Sequence, residues 1–371
     1  MIFSPSQARI FLYSLKQKRF LFYNKAVNEH PKVSIVIPLP KIGHFVREAI
    51  PHYEKLDYPD FEIIILPDED KVSYEKLSDK LEIRIVPSPA SVSKKRDVGA
   101  EVSKGDVIAF IDDDAYPRPD WLKNAIKILL GSEEIGAVGG PAITPDNEPF
   151  WAKISGNVFS SFLMSGSARK RFVITNTKEH EDDDIHSVNL IIKKDVYLKV
   201  GGFSDIYQYH PGEDTLLCLK IRKAGYKIIF SPNVVVYHHR RSLFWDHFKQ
   251  IRNYATHRGF FIKKFPENSL RIQYFLPSIF LLGLIGGGIL SFFSSLILKL
   301  YLGVLGFYFF LALIPSLKPN LIETLLTTVG IFLSHITYGY YFIKGLLMSE
   351  KVITSKDVKK KNIFSQKRFK Y

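Results

Sequence analysis

The chain has 371 residues, 46% of them hydrophobic, which is enough for one sizeable core and a further region beside it. Its single cysteine, Cys218, excludes an intramolecular disulfide and a multi-cysteine metal site, so the fold does not depend on an oxidising compartment. The formal net charge of +14 sits largely beside apolar stretches, at Arg258, Lys263, Lys264 and Arg271 and again from Lys356 to Lys361, which points to a membrane face and not to nucleic acid.

Residues 1–30 interleave Ile10, Phe11, Leu12, Leu15, Phe20 and Leu21 with Lys16, Lys18 and Arg19. That mixture lacks the apolar run of a signal peptide and predicts either a basic amphipathic segment on a membrane or an ordinary domain-edge helix. After Pro31, Val33 to Pro38 is a short apolar β-branched run that predicts a buried parallel strand, and Phe61 to Leu66 repeats it. Phe45 to Leu56 predicts a crossover helix between them. Leu81 to Val86 and Asp106 to Ile111 read as third and fourth strands, so residues 31–245 are expected to form an α/β domain on an open, mostly parallel sheet. Ligands of such sheets collect at the carboxyl ends of the strands, here Pro38, Asp68, Pro87 and the residues after Ile111.

Asp112, Asp113 and Asp114 follow Ile111. Three adjacent carboxylates repel one another unless solvated or neutralised, and a bound Mn²⁺ or Mg²⁺ would neutralise them and hold a diphosphate in turn. A solvated turn with Asp120 as helix cap explains Asp120 but not a triple Asp against a strand.

Residues 32–245 resemble the inverting family 2 glycosyltransferases of the GT-A fold, a Rossmann-like nucleotide-diphospho-sugar transferase architecture. The resemblance rests on Ser34 to Pro38, Lys95-Arg96-Asp97-Val98-Gly99-Ala100, Gly105 to Asp114, Val200-Gly201-Gly202-Phe203, Gly212-Glu213-Asp214-Thr215 and Lys223-Ala224-Gly225-Tyr226, in that order. It implies that Asp112 serves the nucleotide ribose and Asp114 the metal, with Asp113 able to serve either, and that Arg96 and Asp97 contact the nucleotide. Where the family's second strand ends in paired Asp, this chain has Pro67 and Asp68, which leaves Asp68 to the base or ribose. Inverting transfer needs a carboxylate to accept the acceptor hydroxyl proton, and the family pattern points to Asp214 with Glu213 beside it. An acidic first turn facing the helix dipole is the plainer reading of both. His238, at the end of the alternating run Pro232, Val234, Val236, is expected to complete a metal shell begun by Asp112 and Asp114. Asn189 falls in the family's acceptor-side segment. The acidic run Glu179 to Asp184 reads as a solvated loop, with residues 165–189 placed to close over the donor.

Residues 246–273 read as a basic juxtamembrane linker. Beyond it, apolar stretches near 274–296, 300–317 and 321–343 are each about long enough to cross a hydrocarbon core, and residues 346–371 form a basic tail. Three crossings from a cytoplasmic catalytic domain would leave that tail outside, against the tendency of Lys and Arg to stay inside. One of the three is then expected to be re-entrant or interfacial, and Lys318, Pro319 and Glu323 make the junction of the last two the weakest place. The expected whole is an integral membrane enzyme that takes a sugar from a nucleotide-diphosphate sugar donor to a lipid-linked or glycan acceptor. A processive polysaccharide synthase would carry a Gln-x-x-Arg-Trp motif that Gln250 and Arg252 do not reproduce, and a mere membrane tether leaves the Asp cluster unexplained.

Overall fold

The computed structural model describes residues 30–68, 76–203 and 211–349; the expected amphipathic N-terminal segment and most of the basic tail lie outside them. The apolar runs form β1 (Val33–Pro38), β2 (Phe61–Leu66), β3 (Ile83–Ile85) and β4 (Val107–Phe110), all parallel. Every residue of β1 is buried, as a strand covered on both faces requires. With β6 (Ile135–Gly139), β8 (His180–Glu181), β9 (Leu190–Lys193) and β10 (Lys227–Phe230) they make an eight-stranded sheet in the order β3-β2-β1-β4-β9-β6-β10-β8. β9 and β8 run against the rest. A small second sheet, β5 (Ala115–Pro117), β11 (Val236–His238) and β7 (Ala142–Ile143), stands beside the end of β4. The run expected as a strand over Pro232 to His238 is thus strand only in its last three residues.

One core face packs α1 (His44–Tyr53) and α3 (Trp121–Leu129) with β1 and β2 through Tyr53, Trp121 and Ile63. The other face receives α2 (Val92–Val102), α5 (Lys194–Lys199) and α6 (Glu213–Lys223) through Ala100, Tyr197 and Leu217. Gly99 sets how closely α2 lies on β1: a Cβ there would meet Val36 Cγ1 at 2.4 Å. That approach carries Arg96, one turn earlier, over the strand ends.

α4 (Phe150–Ser160) and α7 (Trp245–Lys264) complete the globular unit. The stretch read as a linker is therefore a 20-residue helix over most of its length, with Ile251, Ala255 and Phe261 buried. Three apolar helices follow, α8 (Leu276–Ser291), α9 (Ser295–Leu313) and α10 (Leu321–Leu347). All three are long and apolar enough to cross a membrane, though α10 is 39% buried in its most apolar window against 6% for the other two.

Candidate active site

β4 ends at Phe110, and the chain turns through Asp112, Asp113 and Asp114 into β5. β11 pairs antiparallel with β5, setting His238 opposite Ala115 and beside Asp114. His238 Nε2 lies 3.2 Å from Asp114 Oδ1, and ligand atoms of Asp112, Asp114 and His238 all fall within 4.8 Å of one another. The partly buried Asp114 carboxyl would be raised by desolvation, but His238 and Arg241 outweigh that and hold it at about 2. Two carboxylates and an imidazole, kept close together although the carboxylates repel, are a donor set that fits Mn²⁺ or Mg²⁺.

Lys95, Arg96 and Asp97 each have their own task. Lys95 Nζ is 2.6 Å from Asp68 Oδ1 and also donates to the Leu39 carbonyl, fastening α2 to the ends of β1 and β2. Asp113 acts on Lys95 electrostatically from the other side. Pro38, the last residue of β1, is buried beside Leu66 in the parallel ladder. Arg96 donates to Asp112 Oδ1 at 2.8 Å and approaches Glu213 at 3.6 Å and Asp214 at 3.9 Å. Asp97 turns elsewhere: its Oδ1 accepts from the Tyr197 hydroxyl at 2.6 Å and the Phe203 amide at 2.9 Å. Gly202, at φ +48°, lies so close that a Cβ would meet that same carboxylate at 2.4 Å. The Gly201-Gly202 pair and Asp97 are thus two halves of one joint.

Glu213 and Asp214 open α6 after Gly212. Glu213 Oε1 accepts from Ser93 Oγ at 3.0 Å, and Asp214 Oδ2 from the Ser187 amide at 3.1 Å. Burial and the neighbouring Glu213 push the Asp214 carboxyl up to about 6, with Arg96 opposing. A carboxyl so placed exchanges protons near neutral pH.

The acidic run 179–184 is not a solvated loop. Asp182 and Asp184 are 8% and 0% exposed. Asp184 Oδ1 accepts from Thr215 Oγ1 at 2.7 Å, while its Oδ2 is 3.3 Å from Arg171 and 3.2 Å from Arg258 of α7. Desolvation raises its carboxyl, yet the two guanidinium groups hold it well below the usual carboxylate range. Asp183 pairs with Arg271 and Arg222. The run has no apolar period to announce its burial, and its partners are spread from Lys170 to Arg271.

Asn189 is 1% exposed, accepts from Trp121 Nε1 at 2.8 Å and donates to the Pro141 and Val234 carbonyls. It is a tie between the two sheets. Tyr254 of α7, which sequence reasoning passed over, accepts from Gln250 at 3.2 Å, and Arg241, Asp214 and Asp112 act on its hydroxyl electrostatically. α7 therefore comes within electrostatic reach of Asp214 and the Asp cluster.

Residues 34–201 match the model of Glycosyl transferase family 2. The chain is 24% identical over 226 residues to a glucosyl-dolichyl phosphate glucuronosyltransferase of Haloferax volcanii, covering 56% of this chain and 69% of that protein. It is 24% identical over 337 residues to a dolichyl N-acetyl-alpha-D-glucosaminyl phosphate 3-beta-D-2,3-diacetamido-2,3-dideoxy-beta-D-glucuronosyltransferase of Methanococcus voltae, covering 85% of this chain and 97% of that one. In fold it is similar to a mannosyltransferase of Pyrobaculum calidifontis solved with GDP-Man and Mn²⁺, at a TM-score of 0.58 and 17% identity over 90% of this chain and 94% of that one. With its parallel sheet, its strand-end Asp cluster and that family match, the chain carries a family 2 glycosyltransferase domain on a GT-A fold, followed by three apolar helices.

Proposed function

We propose that the protein transfers a sugar, with inversion at the anomeric carbon, from a nucleotide-diphosphate sugar to a lipid-linked acceptor at the cytoplasmic face of a membrane. The observation that carries this reading is Arg96, whose guanidinium touches Asp112 on one side and faces Glu213 and Asp214 on the other. It joins a donor-binding element to a proton-accepting one in a single cluster.

Asp112, Asp114 and His238 would hold the Mn²⁺ or Mg²⁺, which when bound supplies positive charge to the departing diphosphate. Asp68, at the end of β2, and Asp113 border the nucleotide end, with Lys95 balancing both. Asp214 accepts the proton of the acceptor hydroxyl. The freed oxygen forms its bond to the anomeric carbon as the opposite carbon–oxygen bond to the diphosphate breaks, and the electron pair leaves on the diphosphate. Burial, with like-charge repulsion from Glu213, keeps Asp214 basic, and Arg96 limits that effect so that the acid titrates near 6.

The lipid-linked acceptor is supported by the names of the Haloferax and Methanococcus relatives and by the apolar helices beyond α7. Adding UDP or GDP with Mn²⁺ to detergent-purified protein should raise its Tm, because a ligand that binds only the native state must stabilise it. The product's anomeric coupling in NMR, opposite to that of the donor, would establish inversion. Unchanged Tm with either nucleotide and metal would remove the donor assignment.

A further inference from the structure

α10 is polar where a membrane span would be apolar. Glu323, Thr324, Thr327, Thr328, Ser334 and His335 are buried on one face, where Ser334 meets His247 of the globular unit and His335 meets Tyr308 of α9. Glu323 lies 3.0 Å from Lys153 of α4.

Further along, α10 runs parallel to α7 in continuous contact. Gly330 lies against Leu243, His247 Nε2 is 2.9 Å from Ser334 Oγ, Gly259 abuts the Phe342 backbone, and Lys263 Nζ donates to Met348 O at 2.8 Å. α7 carries Lys249, Arg252, Arg258, Lys263 and Lys264 and is tied by Arg258 to the buried Asp184. A helix so charged does not enter hydrocarbon, so one fastened along its side stays out with it.

α8 and α9 are built differently. They pair antiparallel, with the Tyr301 hydroxyl donating to Leu284 O at 3.2 Å and the Phe280 and Tyr308 rings stacked at 4.4 Å. The turn between them exposes Phe292 and Phe293. α10 meets this hairpin toward its base, through Ser278 on Gly339 and Ala312 beside Ile331.

We propose that α8 and α9 alone cross the membrane, and that α10 lies in the headgroup region with Ile322, Leu325, Val329, Tyr340 and Leu347, all exposed, turned to the acyl chains. Trp151 and Trp245, two of the three tryptophans, are exposed where α4 and α7 begin, the placement of interfacial anchors. Two crossings return the chain to the side it left. The Lys-rich tail then shares the face of the catalytic domain and its juxtamembrane cations, which resolves the charge conflict that three crossings create.

The proposal rests on the reading of the apolar helices as membrane-inserted, and sidedness separates the two. In a Cys218→Ser background, single cysteines replace Lys178 in the catalytic unit, Phe292 at the hairpin tip and Lys359 in the tail of the full-length protein. Sealed vesicles are then treated with a membrane-impermeant maleimide. Lys178→Cys and Lys359→Cys should label from one side and Phe292→Cys from the other. Lys359→Cys labelling with Phe292→Cys would overturn the proposal while leaving insertion intact, and Phe292→Cys labelling with Lys178→Cys would overturn insertion itself. Spin labels at Leu325, Val329 and Tyr340 should report one shared shallow depth; a sweep toward the bilayer centre would contradict a surface helix.

Discussion

The proposed donor and acceptor sides of the site are held by different kinds of contact. On the donor side the chemistry comes in short runs, Asp112 to Asp114 at one strand end and Lys95 with Arg96 on one helix, and the scaffold beneath is apolar packing. On the acceptor side Asp214 depends on segments far apart in sequence: Ser187 donates to it, Arg96 faces it, and the next residue, Thr215, is fixed by Asp184 with Arg171 and Arg258. Arg258 belongs to the helix along which α10 is laid. Asp214, the proposed base, is therefore followed by a residue tied through Asp184 and Arg258 to α7, the helix that α10 packs along. Changes on the two sides should separate donor binding from turnover.

The largest separation is expected from Asp214→Asn, which nearly keeps the shape but cannot accept the proton. Turnover should fall by roughly 10² to 10⁴-fold while donor affinity persists. Glu213→Gln should be milder. A dead Glu213→Gln enzyme beside a near-normal Asp214→Asn enzyme would pass the role to Glu213.

Next comes Asp184→Asn. It leaves two part-buried guanidinium groups without their shared, fully buried counter-charge, a loss of about 3 kcal/mol in chemical denaturation, and it should lower turnover more than nucleotide affinity. The sign with pH follows from the depressed folded pKa: the stabilisation is present above the unfolded value of about 4 and fades as pH falls below it. A denaturation midpoint unmoved by the substitution would dissolve the tie.

The pH profile sharpens the comparison further. Asp214 is raised to about 6, so turnover should decline as pH falls below that point and the base becomes protonated. Glu213→Gln removes the neighbouring negative charge, and the acid limb should move to lower pH. A limb that stays in place would deny the coupling.

Asp97→Asn should do least, costing about 1 kcal/mol, because the amide retains an oxygen for Tyr197 and Phe203. Nucleotide affinity should hold. A selective fall in that affinity would return Asp97 to the donor contacts that the family resemblance gave it.

How far the molecule could be read beforehand follows the same division. Val33 to Pro38 and Phe61 to Leu66 were legible as strands because parallel strands covered on both faces are continuous apolar runs. Asp112 to Asp114 were legible because like charges in sequence demand an explanation. Asp182 and Asp184 looked solvated because burying a carboxylate requires cations that no local pattern announces, and Arg258 stands 74 residues from Asp184. α7 looked like a linker because its buried face, Ile251, Ala255 and Phe261, is interleaved with Arg252, Arg258 and Lys263. Motif position places Asn189 in the acceptor-side segment but says nothing of its burial.

The central claim is that one cluster holds the donor through a metal and removes the acceptor proton through a separate acid. Calorimetric titration of UDP and GDP, with and without Mn²⁺, into wild-type, Asp114→Asn and Asp214→Asn proteins tests it most directly when sugar transfer is assayed on the same samples. Metal-dependent nucleotide binding should vanish in Asp114→Asn and survive in Asp214→Asn, with transfer lost in both. Mn²⁺-dependent binding that persists in Asp114→Asn, or transfer that persists in Asp214→Asn, would contradict it.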